Sequence, residues 1–153
     1  MPDKLKAAFD DPEHGWVGLT FSRGGESVTV TASYTPSDSF LDLTDALYNL
    51  FLYGGEAKVV WHSGPIECEL RFAREGDVVR FEAYEYPDRL CDTVRGRLFF
   101  EASGTYEGIC LPFWRALRNL QGRFSETELI SRWHRPFPSK EIDNLTALLR
   151  EGR

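Results

Sequence analysis

A chain of 153 residues with 42% apolar and 27% charged side chains has the size and composition of one globular domain, which excludes a disordered or fibrous chain. No apolar run approaches the ~20 residues of a membrane-spanning helix, and MPDKLKAAFD at the start lacks the apolar segment of a secretory signal, so a soluble cytoplasmic protein is expected. The net charge of −6 is concentrated before residue 57, where Lys4, Lys6 and Arg23 stand against nine acidic residues; this argues against a nucleic-acid-binding face and suits a basic protein partner.

Residues 1–13 read as a loosely attached lead-in, and residues 14–153 as one domain. WVGLTFS (16–22) and SVTVTASYT (27–35) alternate apolar with small or polar side chains around RGGE, which predicts a β-hairpin turning at Gly24-Gly25. Its apolar face would carry Val17, Leu19, Phe21, Val28, Val30, Ala32 and Tyr34. The period then changes. Phe40, Leu43, Leu47, Leu50 and Phe51 recur at helical spacing, Ser37 or Asp38 can cap the start, and Gly54-Gly55 can end it. Asp38, Asp42 and Asp45 lie towards the start, where the helix dipole favours negative charge.

From Glu56 the period returns to two in EAKVVWHS, IECELRFARE, DVVRFEAYEY and TVRGRLFFEAS, four strands joined by short turns and the loop PDRLCD. After Gly104, Tyr106, Ile109, Cys110, Phe113, Trp114, Leu117 and Leu120 form a helical stripe, beginning or kinked at Pro112. Ser125 and Glu128 are spaced as a capping box for a helix through Trp133. Pro136 and Pro138 interrupt the chain, and Ser139 to Arg150 form a last helix buried on Ile142, Leu145, Leu148 and Leu149. The expected fold class is α+β: a single antiparallel sheet of about six strands, in the order ββαββββ and then helices, with the helices packed on one face.

WHSGPIECE (61–69) concentrates His62, Ser63, Cys68 and two glutamates, but alternation puts Cys68 with Leu70 and Phe72, and Glu67 with Glu69 on the opposite side. They cannot converge on one ion. His62, at a strand end, is expected to be solvent-exposed. His14, His62 and His134 show no metal-ligand spacing, and Cys68, Cys91 and Cys110 form no CxxC pair, so neither metal nor cofactor is expected. No GxSxG, HExxH, GxxxxGK[ST] or GxGxxG occurs, so no catalytic residue is assigned.

If helices cover one face, the other displays aromatics among charges of both signs: Trp16, Thr20, Thr29, Thr31, Ser33, Glu67, Glu69, Arg71, Arg80, Glu82, Tyr84, Tyr86, Arg95, Arg97, Phe99 and Glu101. Tyr, Trp and Arg are the types enriched at interface hot spots. The candidate binding residues are therefore Trp16, Glu67, Glu69, Arg80, Glu82, Tyr84, Tyr86 and Arg97 on this face, with Asp38, Asp42 and Asp45 on the acidic helix. A plainly solvated face is the simpler alternative.

Trp61, Pro65, Gly76, Asp77, Trp133, Pro136, Phe137, Pro138, Ile142 and Leu145 together resemble the pattern of a group of small bacterial proteins of unassigned function: a tryptophan strand, a Pro turn, a Gly-Asp turn and a W-x-x-PFP-x-x-x-I/L-x-x-L segment. The PFP segment reads as a brace, with Trp133 and Phe137 anchoring it to the preceding helix. In size, acidity and element order the chain also resembles immunity proteins of bacterial polymorphic-toxin systems, which occupy a toxin's active site or surface. That resemblance implies a non-enzymatic protein-binding domain engaging a basic toxin. A pocket between sheet and helix for a small molecule, and a homodimer formed through the aromatics, are the alternatives.

Overall fold

A hairpin closes where Gly24, at φ +62°, supplies the left-handed conformation the tight turn requires. The computed structural model, describing residues 4–35, 37–63, 66–86 and 96–152, pairs β2 (Trp16–Arg23) with β3 (Glu26–Ser33) from Trp16↔Ser33 to Arg23↔Glu26. Val17, Leu19, Phe21, Val30 and Ala32 are buried, and Val28 and Tyr34 pack partly against the core. Pro65, Cys91 and Arg95 lie outside the described residues.

Within residues 4–13 one short strand forms. Lys6–Phe9 forms β1, antiparallel to β2 with Phe9 opposite Leu19, and Leu5 and Phe9 are buried. KAAF is too short and too small to display a period by itself. The Asp10 carboxylate continues the attachment by accepting the Gly18 N–H at 2.7 Å. Two ion pairs then bind this segment to the far end of the sequence, Asp11 with Arg123 and Glu13 with Arg132, while Gly15 N–H donates to the Arg132 carbonyl at 2.8 Å. Gly15 sits at φ +77°, and a Cβ there would lie 2.4 Å from the Tyr34 ring, so both conformation and space require glycine.

Helix α1 (Ser39–Tyr53) begins where Asp38 accepts the Leu41 N–H and ends at Gly54, φ 69°. It buries Phe40, Leu43, Leu47 and Leu50 as the spacing predicts, with Phe51 half-buried. Its last turn is held from the sheet side. Arg74 Nη1 donates to the Leu50 and Phe51 carbonyls at 3.1 Å each, and Tyr106 Oη donates to the Leu47 carbonyl at 2.6 Å.

Strands β4 (Gly55–Ser63), β5 (Ile66–Glu75), β6 (Val78–Tyr86) and β7 (Arg97–Gly104) form the antiparallel meander in sequence order. The expected single sheet of about six strands is instead two sheets, β1-β2-β3 and β4-β5-β6-β7. Alternation reveals which side chains share a face, but not which strand edges meet. Between the sheets the Thr31 and Ser63 hydroxyls bond at 2.8 Å, and Ser39 Oγ at the start of α1 donates to the Val60 carbonyl, an acceptor that no ladder to β3 uses.

Aromatic packing joins the two sheets. Phe21 of β2 meets Phe81 of β6 at 5.3 Å and Phe100 of β7 at 4.8 Å between ring centroids, and Phe113 closes over the group from a helix beyond β7. After β7 the chain forms α2 (Tyr106–Ile109), α3 (Leu111–Arg123, Pro112 in its first turn), α4 (Glu126–Trp133) and α5 (Ser139–Glu151). The capping box at Ser125 and Glu128 is formed from both sides. Trp133 and Phe137 pack on Phe40 of α1, at 4.7 and 5.1 Å, so the PFP segment braces α1 rather than only the helix before it. Phe9 reaches the same ring at 5.1 Å.

Phe9→Ala should therefore cost about 3–5 kcal/mol in urea unfolding. A change near zero would return residues 1–13 to a dispensable lead-in.

Candidate functional site

The face of β4–β7 opposite the core is organised around one carboxylate. Glu69, only 13% exposed at its side chain, accepts from Arg71 Nε and Nη2 at 3.0 and 2.9 Å, from Tyr86 Oη at 3.2 Å, and pairs with Lys58 Nζ at 3.4 Å. Arg71 Nη2 also donates to Tyr86 Oη at 2.8 Å, and its guanidinium lies 4.1 Å from the centroid of the Tyr84 ring. Tyr84 Oη in turn reaches Glu82 at 3.4 Å. The bond to Glu69 holds Arg71 further towards its charged form, and burial, then the charge of Glu69, pushes the Tyr86 phenol above its ordinary value. The result is two tyrosines and an arginine held in place on a sheet surface. Beside them lies a shallow depression of about 400 Å³ bounded by Glu56, Lys58, Glu69, Arg71 and Glu82.

The cross-strand register explains which predicted residues meet here. Glu67 lies opposite Tyr86, Glu69 opposite Tyr84, and Arg71 opposite Glu82, so five of the candidates, Glu67, Glu69, Glu82, Tyr84 and Tyr86, share one surface. Glu82 faces Glu101 directly across β6 and β7, a like-charge pair that disfavours the sheet. Arg80 is exposed at the end of this face, opposite Ser103 and Ala73. Arg97 is not part of it: an irregularity between Ala83 and Tyr84 shifts the register, so Arg97 lies opposite Glu85 and pairs with it at 3.5 Å, while Leu98 takes the place opposite Tyr84. Phe99, expected on the open face, packs partly against the core. Trp16, 46% exposed, belongs to the other sheet, opposite Ser33. Lys58 was the residue missed. Its signal was the alternation of EAKVVWHS, in which buried Val59 and Trp61 leave Lys58 outward.

On α1, Asp38 is occupied as the cap, while Asp42 and Asp45 are exposed. Burial, then Asp38, pushes the Asp42 carboxyl above its ordinary value against the opposing pull of Arg135 and His62. For Asp45 burial, then Glu141, Asp42 and Asp38, act in the same direction.

The histidine and cysteines with reactive side chains are placed otherwise. His62 is buried rather than exposed, its Nε2 lying 3.3 Å from Ser37 Oγ, because the loop before α1 folds over the end of β4. Cys68 is buried beside Leu70 and Phe72, and burial, then Glu85 and Glu67, pushes its thiol up to about 11, which keeps it from acting as a thiolate. Burial does the same to Cys110. Among the described residues no group of three or more His, Cys, Asp or Glu side chains is arranged to hold a metal, and no helix is long and apolar enough to cross a membrane.

No family model matches the chain, and no curated protein matches it. Among solved structures it is similar to a chain of the CdiA-CT/CdiI toxin and immunity complex from Enterobacter cloacae, with 10% identity and a TM-score of 0.47 over 76% of this chain and 99% of that one. At that level the likeness fixes neither fold family nor activity.

A raised carboxyl pKa in the folded state means that the native form binds the proton more readily, so stability falls as pH rises from the unfolded value of about 3.9 through the folded one. Asp45→Asn should accordingly raise the thermal midpoint at neutral pH, with the gain vanishing below the unfolded pKa. Equal midpoints at pH 7 would contradict the burial and the neighbouring charges that raise the Asp45 carboxyl.

Proposed function

We propose that the chain is a non-enzymatic, cytoplasmic protein-binding domain of the immunity type, engaging a basic toxin-like partner through the open face of β4–β7 and the acidic start of α1. The observation that carries this reading is the network centred on Glu69. Holding Tyr84, Tyr86 and Arg71 in place before binding removes much of the side-chain ordering cost that association otherwise imposes, roughly 0.5–1.5 kcal/mol for each immobilised side chain. A merely solvated face has no need of such ordering.

The charge around the network supports a basic partner. Glu67, Glu82 and Glu101 have no ion pair among the described residues, and the opposed Glu82 and Glu101 would be relieved by a lysine or arginine placed between them. Asp42 and Asp45 extend the acidity on α1 and would steer such a partner from a distance. The kind of partner, a toxin, comes from the resemblance of the sequence to immunity proteins.

Tagged protein passed through lysate of its own cells at low and moderate salt should retain one stoichiometric basic protein, released as salt rises. The Tyr84→Ala/Tyr86→Ala variant should lose that protein while keeping its far-UV circular dichroism. Retention at unchanged affinity would remove the open face from the reading.

A further inference from the structure

About half of the cations among the described residues are occupied. Lys58, Arg71, Arg97, Arg118, Arg123 and Arg132 form ion pairs, and Arg74 donates to backbone carbonyls. Five others have neither ion pair nor hydrogen bond among the described residues, and they line three adjoining depressions at one end of the molecule. Lys4, Arg23 and Arg115 line one of about 520 Å³, floored by Leu5, Ile109 and Pro112. Leu5, Pro112 and Arg115 are shared with a second, of about 420 Å³, to which Lys6 is added. Arg23 and Ser103 are shared with a third, of about 330 Å³, which adds Arg80. Lys140 and Arg150, also unpaired, lie apart on α5.

Grouping unpaired like charges is unfavourable, and here it occurs in a chain whose net charge is −6. Glu101 and Glu107 reach the same depressions, but neither pairs with a cation. The largest of the three has the volume of a small-ligand site and combines an apolar floor with flanking charge. We infer that this end of the molecule binds a small organic polyanion, its apolar body resting on Leu5, Ile109 and Pro112 and two or more phosphate or carboxylate groups lying against Lys4, Arg23 and Arg115. The depression of Lys4, Arg23 and Arg115 shares no residue with the Glu69 network and does not depend on the reading of the open face, which only the third depression touches, at Arg80 and Glu101.

Isothermal titration of the whole chain with adenosine triphosphate and with coenzyme A, without metal, provides the test. At least one should bind saturably with Kd below about 1 mM, more weakly as salt rises, and inorganic tripolyphosphate should bind several-fold more weakly for want of an apolar body. Arg23→Gln/Arg115→Gln should lower the affinity about tenfold or more with the circular dichroism spectrum unchanged; should that variant not fold, Lys4→Gln/Lys6→Gln should weaken binding in the same direction. No saturable binding of either organic anion overturns the inference, as does unchanged affinity in a folded variant. Tripolyphosphate binding as tightly as the organic anions removes the apolar floor from the site, and an oligoglutamate peptide that outcompetes them makes the surface one for an acidic polypeptide instead.

Discussion

Two sheets that share no backbone ladder are held as one body by the ring of Phe21. It stands on the three-stranded sheet and is enclosed by Phe81 and Phe100 of the four-stranded sheet and by Phe113 of α3. Edge-to-face pairs of this kind contribute about 0.5–1.5 kcal/mol each beyond the area they bury. A second group, Phe9, Phe40, Trp133 and Phe137, does the same for α1 and the PFP segment. Because these rings occupy the core side of both sheets, the opposite side of β4–β7 is left outside the core, and the Glu69 network is built there.

The acidity of the first third of the chain divides once the fold is known. Asp10, Asp11 and Glu13 are spent on a backbone N–H and two arginines, and Asp38 on a helix cap. Asp42 and Asp45 remain, along with the exposed Glu26; burial first, then Asp38 for Asp42 and Glu141 for Asp45, pushes both aspartate carboxyls up, so their ionisation opposes folding. Net charge thus overstates what a partner can meet.

Legibility in the sequence followed the physics of each element. The hairpin, the stripe of α1, the four-strand meander and the capping box each carry a local period or turn chemistry, so they could be read directly. Strand β1 could not, since four residues with two alanines have no pattern until Leu19 and Phe21 are placed opposite them. The break between the sheets and the irregularity at Ala83 and Tyr84 are properties of pairing, not of composition, and the second moved Arg97 off the face to which simple alternation had assigned it. Within the candidate site, alternation brought Glu67, Glu69, Glu82, Tyr84 and Tyr86 together correctly. It left unseen the role of Glu69 as the hub, because that depends on which cations reach it.

The bonds from Asp11 to Arg123 and from Glu13 to Arg132 close a loop of more than a hundred residues. On a ribosome, β1 and β2 emerge long before α3 and α4 exist to cover them. Throughout that interval Phe21 lacks the ring of Phe113, and Phe40, on which Phe9 packs, lacks that of Trp133, so the early elements present aromatic surface to the solvent and to chaperones. Closure of this core therefore waits for α3 and α4, in the last third of the chain.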